Sequence, residues 1–181
     1  MVVNKYESDC GRCAALCCLV LPFDRSVAFA FDKPALVPCP QLRGHRCGIH
    51  AQLETRGFAG CAAYECHGAG PRVLHEVFGG RSWRLEPSLA PAMANAFLAM
   101  RDIQELGLLL ELARKLPLCA EERAHLETLV SALEAPSGWS LTSLLDFERE
   151  SLATEVAAFL RSLRRHVSAR RRLPLLDARE R

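Results

Sequence analysis

Apolar positions recur every three or four residues through the second half of the chain and lose that regularity in the first half. From about Ala90 to Leu116, the residues Met93, Phe97, Met100, Ile103, Leu106, Leu110 and Ala113 fall on one face of a helix. Pro117 ends it, because proline removes a donor and clashes with the preceding turn. Residues Glu121 to Glu134 predict a second helix, with Leu126, Leu129, Val130 and Leu133 inward and acidic residues in the first turn, where the helix field favours them. The run APSGWS reads as a turn. A third helix is predicted over about Glu148 to Arg170, with Leu152, Val156, Phe159, Leu160, Leu163 and Val167 as its buried stripe. Met93 and Met100 read as core packing.

Before about residue 80 the pattern is broken by glycines and prolines. A helical turn fits residues 11–19, and another fits Ile49 to Arg56, stopped by Gly57. SVAFAFDK alternates loosely enough for a short strand, and GAG at 68–70 reads as a turn. Such a segment has few apolar surfaces to pack together, so something else must fix its loops. The double glycine of GGRSW divides the chain into residues 1–80 and 81–181. The expected fold is mainly α: a loop-rich cysteine-cluster metal-binding lobe packed on a small three- or four-helix bundle.

At 181 residues the chain is long enough to bury a core, and its net charge of +2 implies no partner by itself. Residues 161–181 hold eight arginines against Asp177 and Glu180, so the basicity is local to the C-terminal end. Without interleaved aromatics or a recognition helix, this end points away from nucleic acid and toward a solvated helix end or a protein partner. The opening MVVNKYESDCGRC has no apolar stretch of export length, and no segment reaches the ~18–20 apolar residues of a membrane span. The expectation is a cytoplasmic protein without a membrane segment.

The cysteines change this picture. Eight of nine lie between Cys10 and Cys66, and Cys119 alone lies beyond, where it reads as an ordinary buried cysteine. The others are Cys10, Cys13, Cys17, Cys18, Cys39, Cys47, Cys61 and Cys66. In a reducing compartment such an array points to ligation rather than to disulfides. The C-x2-C unit Cys10–Cys13 lets two sulfurs converge on one ion or cluster. Adjacent Cys17 and Cys18 point apart, which suits two different sites, or one ligand and one packing residue. His45, His50 and His67 lie nearby, and His50, three residues after Cys47, is the best imidazole candidate if the two share a helical turn. Four thiolates around one zinc ion leave a negative charge that Arg12, Arg43, Arg46 and Arg56 could offset. A thioredoxin-like reading of CGRC fails because only nine residues precede it. Glu54, Glu65 and Glu76 read as surface residues, and no motif assigns catalytic residues.

The run Cys10, Cys13, Cys17–Cys18, then PCPQL with Cys39, RCGIH with Cys47 and GFAGCAAYEC with Cys61, resembles the YkgJ-like cysteine-cluster family of zinc- or iron-chelating domains. The chain departs from that pattern in the three residues before the Cys17–Cys18 pair and in His50, where a tyrosine is usual. Through LPFDRSVAFAFDKPA, ECHGAG and the helices after Trp83 it is similar to the N-terminal module of actinobacterial pentapeptide-repeat proteins, but it contains no such repeats. The resemblance implies Cys10, Cys13, Cys17, Cys18, Cys39, Cys47 and Cys61 as metal ligands, with Cys66 carried by the closer group.

The scatter of the cysteines and this resemblance give the leading expectation: an iron–sulfur cluster of the 4Fe-4S type, in a redox or accessory and maturation role. The alternatives are a zinc-stabilised protein-interaction module without catalysis, and a metal-dependent tailoring enzyme related to the family's methylation branch. A protein partner is expected in the accessory readings.

Overall fold

A computed structural model describes residues 5–167. The arginines from Arg170 onward, and the end of the third predicted helix, lie outside the described residues.

The centre of the molecule is α4 (Ala90–Ala113), which starts behind a 3-10 turn at Pro87–Leu89. Its predicted stripe is buried at Met93, Phe97, Met100, Ile103, Leu110 and Ala113. The helix stops ahead of Pro117, and α5 (Ala120–Ala132) follows with Leu126 and Leu129 buried. A short helix, α6 (Leu141–Leu145), follows the expected turn, where Ser140 accepts a hydrogen bond from the Ser143 amide. Then α7 (Arg149–Ser162) buries Leu152, Val156 and Phe159 and passes into a 3-10 turn at Leu163–His166. The helix thus ends before the predicted point, and Val167 is exposed rather than part of the stripe. Helices α5, α6 and α7 all pack on α4.

The same core takes in the first part of the chain. Helix α1 (Leu16–Val20) buries Leu16, Leu19 and Val20, and α3 (Ala69–Arg72) runs into a π-helical turn at Val73–Val77. Both α1 and α3 lie against α4. Trp83 Nε1 donates to the Ala14 carbonyl at 2.7 Å, tying the approach to α4 to the approach to α1. Gln104 of α4 joins three parts of the chain: its Nε2 donates to the carbonyls of Lys5 and His67, each at 2.7 Å, and its Oε1 accepts from Arg72 at 2.9 Å. A mainly α-helical fold with a small helix bundle is therefore present. Among the described residues no distinct cysteine-cluster metal-binding lobe is evident, because Cys13, Cys17 and Cys18 pack against the common core.

Between α1 and α3 the chain is mostly turns. SVAFAFDK is no regular strand; its residues close a hairpin-like loop through antiparallel bridges Phe23–Lys33 and Ser26–Phe29. Next come β1 (Leu42–Arg43) and β2 (Arg46–Cys47), paired antiparallel around Gly44, whose φ of +57° suits a tight hairpin. A 3-10 turn at His50–Gln52 and α2 (Ala59–Ala63) complete the segment. GAG at 68–70 opens α3 rather than making a simple turn. Among the described residues, no helix is long and apolar enough to cross a membrane.

Candidate functional site

The eight N-terminal cysteines are all unpaired and occupy several different elements. Cys10 opens a 3-10 turn, Cys10–Arg12, whose Gly11 amide donates to Asp9 Oδ1 at 2.9 Å. The Cys13 sulfur lies over Gly70 of α3, where any added β-carbon would meet it. Cys17 and Cys18 are successive residues of α1, and Cys39 is attached to that helix by its amide, which donates to the Cys18 carbonyl at 3.0 Å. Cys47 lies across β1–β2 from Leu42, and Cys61 is in α2. Cys66 is held by Ser8, whose Oγ lies 3.2 Å from its sulfur and accepts from its amide at 3.2 Å. The single Ser8 hydroxyl hydrogen goes to Glu65 Oε2 at 2.5 Å, which leaves the S–H of Cys66 as donor toward Ser8.

Burial acts against the charged form of these sulfurs. It pushes the Cys13 thiol up to about 12 and the Cys61 thiol up to about 11, and it raises Cys10. Cys17 is raised by its hydrogen bond with Cys18 and then by burial. A thiol held this far above neutrality is a poor nucleophile until it loses its proton.

The metal reading is corrected by this geometry. Among the described residues, no group of three or more His, Cys, Asp or Glu side chains is placed to hold a metal ion. Cys10, Cys13, Cys17, Cys18, Cys39, Cys47, Cys61 and Cys66 therefore do not assemble an iron–sulfur or zinc centre. The 4Fe-4S redox or maturation role, the zinc-stabilised module and the metal-dependent tailoring enzyme fall with that centre. The physical reason is that the spacings straddle changes of element. His50 shows this clearly: Cys47 ends a strand while His50 begins a 3-10 turn, so the pair does not share a helical turn. The arginines also have ordinary duties, since Arg43 donates to the carbonyls of Pro40 and Leu42 and Arg56 donates to Gln52. Cys119 is corrected too, being exposed at the N-terminal cap of α5 with its amide on Glu122 Oε2 at 2.9 Å.

What fixes the loops is Lys33. Its side chain is 3% exposed, and its ammonium donates to three carbonyls: Leu19 at 3.2 Å, Leu21 at 2.7 Å and Pro34 at 3.1 Å. Two of these acceptors belong to the C-terminal end of α1, where a cation is favoured. Desolvation lowers the Lys33 pKa, and the nearby Cys39, Cys18, Cys17 and Cys61 oppose that fall. The alternation Phe29, Phe31, Lys33 places the lysine in phase with two aromatics and was the available signal in the sequence.

The loop between residues 23 and 33 carries a second feature. Phe23 stacks on Phe29 with ring centroids 4.3 Å apart, and Phe31 meets Phe58 edge-on at 5.0 Å. At the tip above this aromatic base stands Val27, fully exposed at 102%. Leu36 and Val37, in the turn that follows, are also exposed. Two surface clefts, one between α4 and α7 and one beside α3, include no cysteine among their lining residues.

One curated relative is 34% identical over 171 residues: the uncharacterized protein YybG of Bacillus subtilis (strain 168). The match takes in 94% of this chain but only 61% of that relative's length. No protein-family model and no solved structure matches the chain.

Proposed function

We propose that this chain is a protein-docking module that presents the loop 23–33 and the turn after it to an apolar recess on a partner protein. The observation that carries this reading is Val27, an aliphatic side chain wholly in water at the tip of a loop braced by stacked phenylalanines and by Lys33. A tip that is apolar and rigidly supported loses little conformational entropy on binding and removes apolar surface from water. Cytoplasmic residence is part of the proposal, and nine unpaired cysteines support a reducing compartment. We also take the chain to correspond to the front module of longer proteins, as its resemblance to the cysteine-bearing part of pentapeptide-repeat proteins suggests.

The test is affinity capture with the wild-type chain and with Val27→Asp, followed by reconstitution with the separately purified partner. The expected result is a stoichiometric complex that Val27→Asp weakens at least about tenfold, the scale of one buried valine side chain. A partner bound equally by both proteins, or no reconstituted complex at all, overturns the reading.

A further inference from the structure

The geometry points to self-association: the Val27 tip of one copy of this chain enters the cleft between α4 and α7 of another. This deepens the docking reading, on which it rests, by naming the partner. The tip is held ready for insertion, because the Ala28 carbonyl beside it accepts from the Gly60 amide at 3.1 Å, and the Phe29 ring lies so close to Gly60 of α2 that a β-carbon there would collide with it. The Ser26 amide donates to the Phe29 carbonyl at 2.9 Å, which closes the turn around Val27. A fixed tip of this kind has little freedom left to lose on binding. Val27 is fully exposed, so it does not fill the cleft of its own chain. Tip and cleft can meet only between copies.

The receiving cleft has a matching character. Leu106, Leu109 and Ala153 give it an apolar lining, and Leu109 and Leu112, one helical turn apart on α4, remain 39% and 50% exposed. Its volume of about 290 Å³ falls at the bottom of the ~300–1,000 Å³ range of small-molecule sites, which suits one aliphatic side chain better than a larger ligand. Three carboxylates, Asp102, Glu105 and Glu150, share the cleft with Arg149. Asp102 is already matched by Arg101 at 3.1 Å and by Arg149 at 3.9 Å, whereas Glu105 and Glu150 have no ion-pair partner among the described residues. The incoming tip carries exposed Arg25 two positions before Val27, and its guanidinium has no ion-pair partner among the described residues either. Of the aspartates near Arg25, Asp32 accepts the Arg25 amide at 2.5 Å, and exposed Asp24 finds a counter-charge in Arg149 of the cleft. An apolar tip thus meets an apolar lining while a cation meets two unmatched carboxylates. The same carboxylates disfavour the alternative in which two α4 faces pack on each other, since that contact would set like charges opposite one another. A projection fitted to a recess elsewhere on the same molecule makes a heterologous contact.

The experiment follows the full chain by sedimentation equilibrium under reducing conditions across a concentration series. The wild-type protein is expected to self-associate, and Val27→Asp and Leu109→Asp are each expected to weaken that association at least about tenfold, the scale of one buried aliphatic side chain. Both positions are exposed, so both variants should keep the fold. Mixing the two variants joins an intact cleft to an intact tip and is expected to restore a complex with one contact. Arg25→Glu should weaken association about two- to fivefold, and Glu105→Arg added to it should recover the loss. A chain that stays monomeric at every concentration overturns the second copy as partner, while the docking reading is still decided by affinity capture. Association that survives Val27→Asp or Leu109→Asp overturns the tip-in-cleft contact, as does a mixture of the two variants that fails to associate. Unchanged affinity in Arg25→Glu overturns the ion pairing.

Discussion

Two stretches of this chain solve the problem of staying folded by opposite means. Helix α4 buries one long face, with Met93, Phe97, Met100, Ile103 and Leu110 almost completely out of water, and each such side chain contributes about 1.5–3 kcal/mol. Residues 21–63 bury only Leu42, Leu53 and Phe58 among their apolar side chains. Their loops are instead tied to α1 by Lys33, whose three donors are all used, and by the Cys39 amide. A segment too poor in apolar surface to make its own core can thus be organised by one satisfied buried cation. Composition shows that residues 21–63 are poor in buried apolar side chains, but it does not name the group that ties them down.

Substitutions can break this contrast or sharpen it. Phe97→Ala should cost about 3–5 kcal/mol in urea unfolding, as expected for an aromatic removed from a closed core. A loss below about 1 kcal/mol would show that α4 is not the stabilising centre. Lys33→Met strips the carbonyls of Leu19, Leu21 and Pro34 of a donor and should cost about 1–3 kcal/mol. Its effect should be concentrated in faster amide hydrogen exchange at Leu21, Phe23 and Lys33; equal acceleration throughout α4 would mean that the two stretches open as one unit.

Glu122 offers a smaller, pH-dependent handle on the helical side. The Cys119 amide and then His166 hold its carboxyl down at about 2, against an ordinary 4.5. A depressed carboxyl stabilises the fold above its unfolded pKa, and that stabilisation drains away as pH falls from about 4.5 toward 2. Glu122→Gln should therefore lower the thermal midpoint at neutral pH and flatten its decline across that acid window, measured by circular dichroism. Val27→Asp should change stability by less than about 0.5 kcal/mol, because Val27 touches no core. A larger loss would mean that the tip holds the loop together rather than serving a partner.

The helices were legible because a long amphipathic period carries its own evidence. The stripe of α4 and the inward residues of α5 and α7 could be written down from spacing. Helix α6 was not legible, since five residues hold too little of a period, and Trp139 sits buried within a run that reads as a turn. The thiols failed for another reason: spacing along the chain gives convergence only when the backbone between the residues is known. Cys47 and His50 are separated by the end of a strand, and α3 begins just beyond Cys66. Lys33 was missed because lysine is ordinarily a surface residue, and its burial depends on carbonyls contributed more than ten positions earlier.

The amide of Gln104 has a consequence for how this protein meets changing surroundings. Two of its three bonds join an uncharged side chain to backbone carbonyls, so they are barely weakened by added electrolyte. The peripheral ion pair between Lys5 and Glu134 has no such protection. In strong brine the outer clasp on the amino-terminal segment should loosen first, while the seat beneath it holds.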